Sequence, residues 1–196
     1  MEITNYFHLV LSGPPGSGKG TQANALCTDG TLLHLSTGEL LRKAIKAQTE
    51  LGKLAQSYID DGNFVPDETA IKLVEEQLAK LNGTSGCIYD GFPRNVAQAR
   101  IFDEMLSSRR ETLGAMILLE VPEEVLVQRL LTRGQEAKRP DDREECIVRK
   151  RIALYHKTTE PIVGYYEAKN KLIRINGNRP VEEVSRQLRK LVESYK

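Results

Sequence analysis

The chain has 196 residues, long enough to bury a sizeable core and suited to one domain with small inserts. Hydrophobic residues at 40% and charged residues at 28% exclude a disordered chain, and a net charge of +1 gives no global pull toward nucleic acid or membrane. Any anion site must therefore come from local clustering of charge.

The amino end, MEITNYFHLV, carries Glu2 and no basic region ahead of its apolar run, unlike a secretory leader. FHLVLS at 7–12 reads as the first strand, and SGPPGSGKGTQ at 12–22 continues from it. A phosphate loop of the G-x-x-x-x-G-K-[ST] kind has a hydroxyl directly after its lysine, whereas Lys19 is followed by Gly20 and only then by Thr21. The glycines let backbone N–H groups turn toward an anion, and TQANALC can begin a helix whose positive end faces the same point. Lys19 adds a mobile positive charge. Strand, loop and helix in this order make Pro15, Gly16, Ser17, Gly18, Lys19, Gly20 and Thr21 candidate ligands of nucleotide phosphates, with Thr21 also a candidate for a metal-bound water.

TLLHLS at 31–36 reads as the second strand, with His34 taken as a core residue, as are His8 and His156. Residues 37–66 have helical patterning and end in the turn-rich DDGNFVPDE, an excursion from the sheet. GCIYD at 86–90 is the third strand, and Asp90 at its carboxyl end can face the phosphate loop and hold Mg²⁺ through water. AMILLEV at 115–121 and KLIRI at 171–175 complete five strands separated by helix-like stretches, the pattern of an α/β fold on a parallel sheet. Between the last two lies RGQEAKRPDDR at 133–143, a second excursion with almost no apolar content. Arg129 and Arg133 are four apart and share one face of a helix. Cys27, Cys87 and Cys146 are far apart and form no CxxC pair, which argues against a disulfide framework or zinc site and suits a reducing cytosol. No run approaches membrane-spanning length.

LSTGELLR (35–42), DGFPRNVAQA (90–99), RLLTRGQEAKRPDD (129–142) and YHKTTEPIVGYY (155–166) together resemble the adenylate kinases. Their phosphate loop typically has a glycine between lysine and threonine, so Gly20 reads as a family mark. The resemblance covers nearly the whole chain. It implies a P-loop nucleoside monophosphate kinase fold, a five-stranded parallel sheet flanked by helices, with core segments 1–35, 66–132 and 144–196. A monophosphate-binding insert would occupy 36–65 and a short lid 133–143. The implied activity is reversible phosphoryl transfer from MgATP to AMP, giving two ADP, with Mg²⁺ as cofactor. The implied setting is a cytoplasmic monomer with no nucleic-acid or membrane partner.

Residue by residue, Thr37 and Arg42 resemble AMP ligands, the arginine on the phosphate and the threonine near the base. Asn63, Phe64 and Val65 resemble the stretch whose backbone touches the AMP nucleoside. Gly91, Phe92, Pro93 and Arg94 would line the same site, with Arg94 on the phosphate and Gln98 reading the adenine edge. Arg129 resembles the arginine packed on the ATP base, and Arg133 a ligand of the ATP phosphates. Arg139 and Arg151 resemble arginines on the transferred group and the AMP phosphate, and the loop Gly177 to Arg179 resembles the one touching the ATP adenine. Asp141 and Asp142 resemble the lid aspartates that contact arginines or ribose as the lid closes. Lys19, Arg94, Arg133, Arg139 and Arg151 would thus form the catalytic set. Converging planar guanidinium groups suit a reaction that needs two anions held in line while charge spreads over the moving group.

The family usually separates its last two catalytic arginines by eleven positions, which here lands on Lys150, one short of Arg151. At 100° per residue Val148, Ile152, Tyr155 and Thr159 form an inward stripe with Arg151 on its flank and Lys150 nearly opposite, which favours Arg151. Asn95 stands where adenylate kinases commonly have Thr and uridylate-cytidylate kinases Asn. Thr37 and Gln98 keep the adenylate pattern. A UMP/CMP kinase, a GTP-dependent AMP kinase and a catalytically silent nucleotide-binding protein remain the alternatives.

Overall fold

The computed structural model describes residues 6–80, 84–137 and 139–195. Residues 1–5, 81–83, 138 and 196, which fall within the expected core and lid segments, lie outside the described residues. Five parallel strands, β1 Phe7–Ser12, β2 Leu32–Ser36, β3 Gly86–Asp90, β4 Leu113–Glu120 and β5 Leu172–Asn176, form one sheet in the order β2-β3-β1-β4-β5. The fold is therefore α/β, and the strand order reverses on either side of β1. Open sheets of this type bind ligands beyond the carboxyl ends of the strands at such a reversal.

Both faces of the sheet are covered, which is why the strands read as unbroken apolar runs rather than alternating ones. Leu9 and Leu11 of β1 point to one face and pack, with Ile117 and Leu119, against α1 (Lys19–Leu26) and α9 (Val181–Glu193). Val10, Tyr89 and Met116 point to the other, toward α4 (Asp67–Leu78), α5 (Val96–Ser108) and α8 (Pro161–Glu167).

The first excursion holds α2 (Thr37–Lys46) and α3 (Glu50–Asp60), joined to the second core by Leu41, Ala55 and Val65. Ser36 and Thr49 cap these helices, their hydroxyls accepting from Glu39 N at 3.4 Å and Gly52 N at 3.1 Å. The second excursion begins as the end of α6 (Glu123–Glu136), passes a short 3₁₀ turn at Pro140–Asp142, and enters α7 (Glu145–Thr158). α6 and α7 bury Leu126, Leu130, Val148 and Ile152 against each other, a small cluster separate from the two sheet cores.

Candidate active site

The carboxyl end of β1 delivers the glycine loop to the sheet edge, where Leu11 lies in register with Asp90, and Asp90 with Ser36 of β2. Gly13 turns at φ 143°, and a Cβ there would stand 2.7 Å from the Leu119 carbonyl oxygen, so no other residue fits. The loop runs into the N-terminus of α1, and the Lys19 ammonium folds back to donate to the carbonyls of Gly13 at 2.8 Å and Pro14 at 3.0 Å. Burial pushes this lysine down from 10.5 to about 8, opposed by the charge of Asp90. Gly20 also has a structural reason: a Cβ in its place would lie 3.4 Å from Asp90 Oδ2, so a bulkier side chain would crowd the space between loop and carboxylate.

Asp90 is the carboxylate beside the loop. Burial works to raise it, yet contact with His34 and the charges of Lys19 and Arg94 outweigh that and hold it below the usual carboxylate range. Ser36 Oγ donates to its Oδ2 at 3.4 Å, and His34 Nε2 lies 3.7 Å from the same oxygen. His34 is therefore no core residue, because β2 ends at the site and turns the ring toward Asp90 and Asn24. His156 is at the surface, paired with Glu160, whereas His8 is fully buried against Tyr89 and Glu111.

Across the cleft, Arg94 is held from three sides. Its Nε donates to the Gly91 carbonyl at 2.7 Å, its guanidinium lies 4.3 Å from the centre of the Phe64 ring, and Thr159 Oγ1 donates to its carbonyl at 2.9 Å. Burial, then the nearby charge of Arg151, brings its guanidinium down to about 10. Thr37 is buried and donates to the Gly91 carbonyl at 2.9 Å. Gln98 is buried at the first turn of α5, whose N-cap is Asn95.

The lid side brings two further arginines together through acids. Arg133, in the last turn of α6, donates from Nε to Asp142 Oδ2 at 2.7 Å, and Arg151 of α7 binds the Asp141 carbonyl at 2.9 Å and the Asp142 carboxylate. Asp141 and Asp142 are buried and tie the lid-following helix to α6. Lys150 instead donates outward to the Asp61 carbonyl at 2.8 Å, and Arg149 pairs with Glu145 and Glu124 at the surface. Val148, Ile152, Tyr155 and Thr159 are all buried, as the helical stripe requires. Burial lowers Arg42 and Arg139, and in each a neighbouring arginine adds to the shift.

One cleft of about 560 Å³ gathers every residue assigned from the sequence to ATP, AMP or metal. Arg129 reaches it from α6 and donates to the Gly177 carbonyl at 3.3 Å, and Arg179 lines it while paired with Glu183. Sequence reasoning missed His34 beside Asp90, and also Gly62, where a Cβ would stand 2.8 Å from Arg151 Cγ. Gly62 lies inside the turn-rich DDGNFVPDE, the one signal that could have drawn attention to it.

The adenylate kinase family profile matches residues 11–171. An adenylate kinase of Synechococcus sp. is 45% identical over 188 residues, covering 96% of this chain and 97% of its own. An adenylate kinase of Flavobacterium psychrophilum is 42% identical, covering 95% of this chain and 98% of its own. Adenylate kinase 1 of Nostoc sp. is 44% identical, covering 92% and 96% respectively. Motif order, parallel sheet and full-length similarity converge: the chain belongs to the adenylate kinase family.

Proposed function

We infer that the chain moves a phosphoryl group reversibly between MgATP and AMP, giving two ADP. The observation that carries this reading is one cleft lined by the glycine loop with Lys19, by Gln98, Thr37 and Arg42, and by Arg94, Arg133, Arg139 and Arg151. A binding module has no need of four arginines around a moving group, whereas in-line transfer does.

The residues also fit Mg²⁺. Asp90 offers hard oxygen at the cleft wall, and one carboxylate with water and phosphate is the usual protein share of such a site. Bound with ATP, the metal would neutralise charge building between the phosphates. Asp90 would hold it through water, with Thr21 as a second oxygen from the first turn of α1. The chain's own residues do the rest. Backbone N–H groups of residues 16–21 and the Lys19 ammonium hold the donor phosphates beside Pro15, with Arg129 and Arg179 at the donor base. Arg42 and Arg94 fix the acceptor phosphate, while Asn63, Phe64, Val65 and Gly91 to Pro93 line its nucleoside. Arg133, Arg139 and Arg151 screen the transferring group.

The insert 36–65 and the lid 133–143 are the parts that would close over the nucleotides and exclude water, against a core of 1–35, 66–132 and 144–196. We take the chain to act as a monomer in the cytoplasm, a setting that the free thiols of Cys27, Cys87 and Cys146 suit. Among the described residues no helix is long and apolar enough to cross a membrane.

A coupled assay of ADP formation with AMP, UMP and CMP as acceptors, and ATP and GTP as donors, tests the reading. AMP should be used far better than either pyrimidine nucleotide. Equal turnover with CMP would overturn the acceptor assignment, and no turnover with any acceptor would leave a silent binding protein.

A further inference from the structure

Asp67 is the first residue of α4 and directly follows the segment that carries Asn63 to Val65. It does not face the nucleotide cleft; it reaches the cleft through Gln98. Gln98 Nε2 donates to Asp67 Oδ1 at 2.7 Å, and on the other side of the same carboxamide Gln98 Oε1 accepts from the Arg94 backbone N–H, also at 2.7 Å. Asn95 Nδ2 donates to both Asp67 oxygens, at 3.0 and 2.8 Å, while Asn95 Oδ1 accepts from the Gln98 backbone N–H at 2.8 Å.

A carboxylate only accepts and a backbone N–H only donates. The two ends of the Gln98 amide are therefore distinguished by chemistry, not by the near-equivalence of oxygen and nitrogen. Turning the amide over would set carbonyl against carboxylate and NH₂ against N–H. Gln98 is only 2% exposed, so water could not relieve either conflict. An amide has two donor hydrogens and two acceptor lone pairs. Asp67 and Arg94 each occupy one, leaving one donor and one acceptor in a fixed order.

We propose that Asp67 is a positioning residue that sets acceptor-base specificity, by locking the Gln98 amide in the order that matches a 6-aminopurine and rejects a 6-oxopurine. Adenine shows a donor at N6 beside an acceptor at N1 or N7. Hypoxanthine shows an acceptor at O6 beside a donor at N1, the reverse order, which only a flipped amide could meet. The same contacts give Asn95 a task unrelated to pyrimidine recognition: it caps α5 and steers the Asp67 carboxylate. The inference rests on Gln98 being the group that reads the acceptor base.

Asp67 is exposed, so replacing it disturbs no core. Wild type, Asp67→Ala and Asp67→Asn are compared for kcat/KM with AMP and with inosine 5′-monophosphate, and for the KM of ATP, after thermal melts. With the Asp67 half of the lock removed and only the Arg94 N–H left to orient the amide, the AMP-to-IMP ratio should fall about tenfold, the scale of one hydrogen bond to a charged group, while the KM of ATP stays unchanged. Asn at position 67 can turn either end toward Gln98 and should shift the ratio the same way; it decides the matter if the Ala variant does not fold. An equal loss with both nucleotides, leaving the ratio intact, would make Asp67 a mere helix-start residue and overturn the proposal. Should the wild type show no preference for AMP over UMP and CMP, the acceptor reading itself has failed, a result separable from an unchanged ratio in an AMP-selective enzyme.

Discussion

Lys19 has a depressed affinity for its proton because burial penalises its charge, and this gives the phosphate loop a pH signature. In the ligand-free protein its ammonium titrates at about 8, well below the ordinary 10.5. Phosphate oxygens beside it favour the charged form and raise that value. Above pH 8, then, ATP binding must take up a proton. Calorimetry at pH 9 in two buffers of different ionisation enthalpy should show net uptake, and Lys19→Met should abolish it. The same variant should fold normally but lose turnover by a factor on the order of 10² or more, the scale for one preorganised charge at a transition state. Because the loop also binds through its backbone, ATP affinity should fall less than turnover. A folded Lys19→Met enzyme with near-normal turnover would remove Lys19 from the mechanism. The placement of Lys19 and Asp90 at the cleft is legible in sequence because each holds a fixed position along strand, loop and helix. His34 and Asp67 were not, since each acts through a partner 31 or more positions away in the chain.

At the level of elements, α7 converts a spacing problem into geometry. Its buried stripe fixes the helix rotation, which sends Arg151 into the cleft and Lys150 to the Asp61 carbonyl outside it. Arg151→Ala should therefore remove roughly 3 kcal/mol of transition-state stabilisation, against well under about 1 kcal/mol for Lys150→Ala. Kinetics of both variants, after melts establish folding, check this. Greater damage from Lys150→Ala would mean that the catalytic arginine is not on this flank of α7. The strands were legible from their apolar runs and the amphipathic stripe of α7 from its period. The way α6 and α7 are tied was not, because Asp142 binds Arg133 and Arg151 at once and only the folded turn brings the three together. Reading RGQEAKRPDDR as a polar excursion caught its solvent-facing part, and the family likeness gave Asp141 and Asp142 arginine partners, but neither showed the burial of both aspartates.

The whole molecule carries a net charge of only +1, yet Arg42, Arg94, Arg129, Arg133, Arg139, Arg151 and Arg179 all line one cleft. Fixed cations gathered in a concave, partly desolvated space repel one another, and the downward shifts of Arg42, Arg94 and Arg139 record that repulsion on top of burial. The free protein is thus less stable than its packing alone would make it, and anions relieve the strain. Arg139 is the cleanest probe, since it forms no ion pair among the described residues and its side chain supports no core cluster. Each depressed arginine holds a pKa below its unfolded value while staying charged at neutral pH, so its charge lowers folding stability there. Arg139→Gln should then leave the melting temperature of the ligand-free protein unchanged or raised, while turnover falls by a factor on the order of 10². Inorganic phosphate or ATP should raise the melting temperature of both proteins by mass action, with a smaller rise in the variant because one of the charges that rewards binding is gone. Differential scanning fluorimetry with and without phosphate, beside the kinetic assay, separates this from loss of packing. A ligand-free variant that melts well below wild type would show that Arg139 supports the fold, and the link between focused charge and marginal stability would fail at this residue.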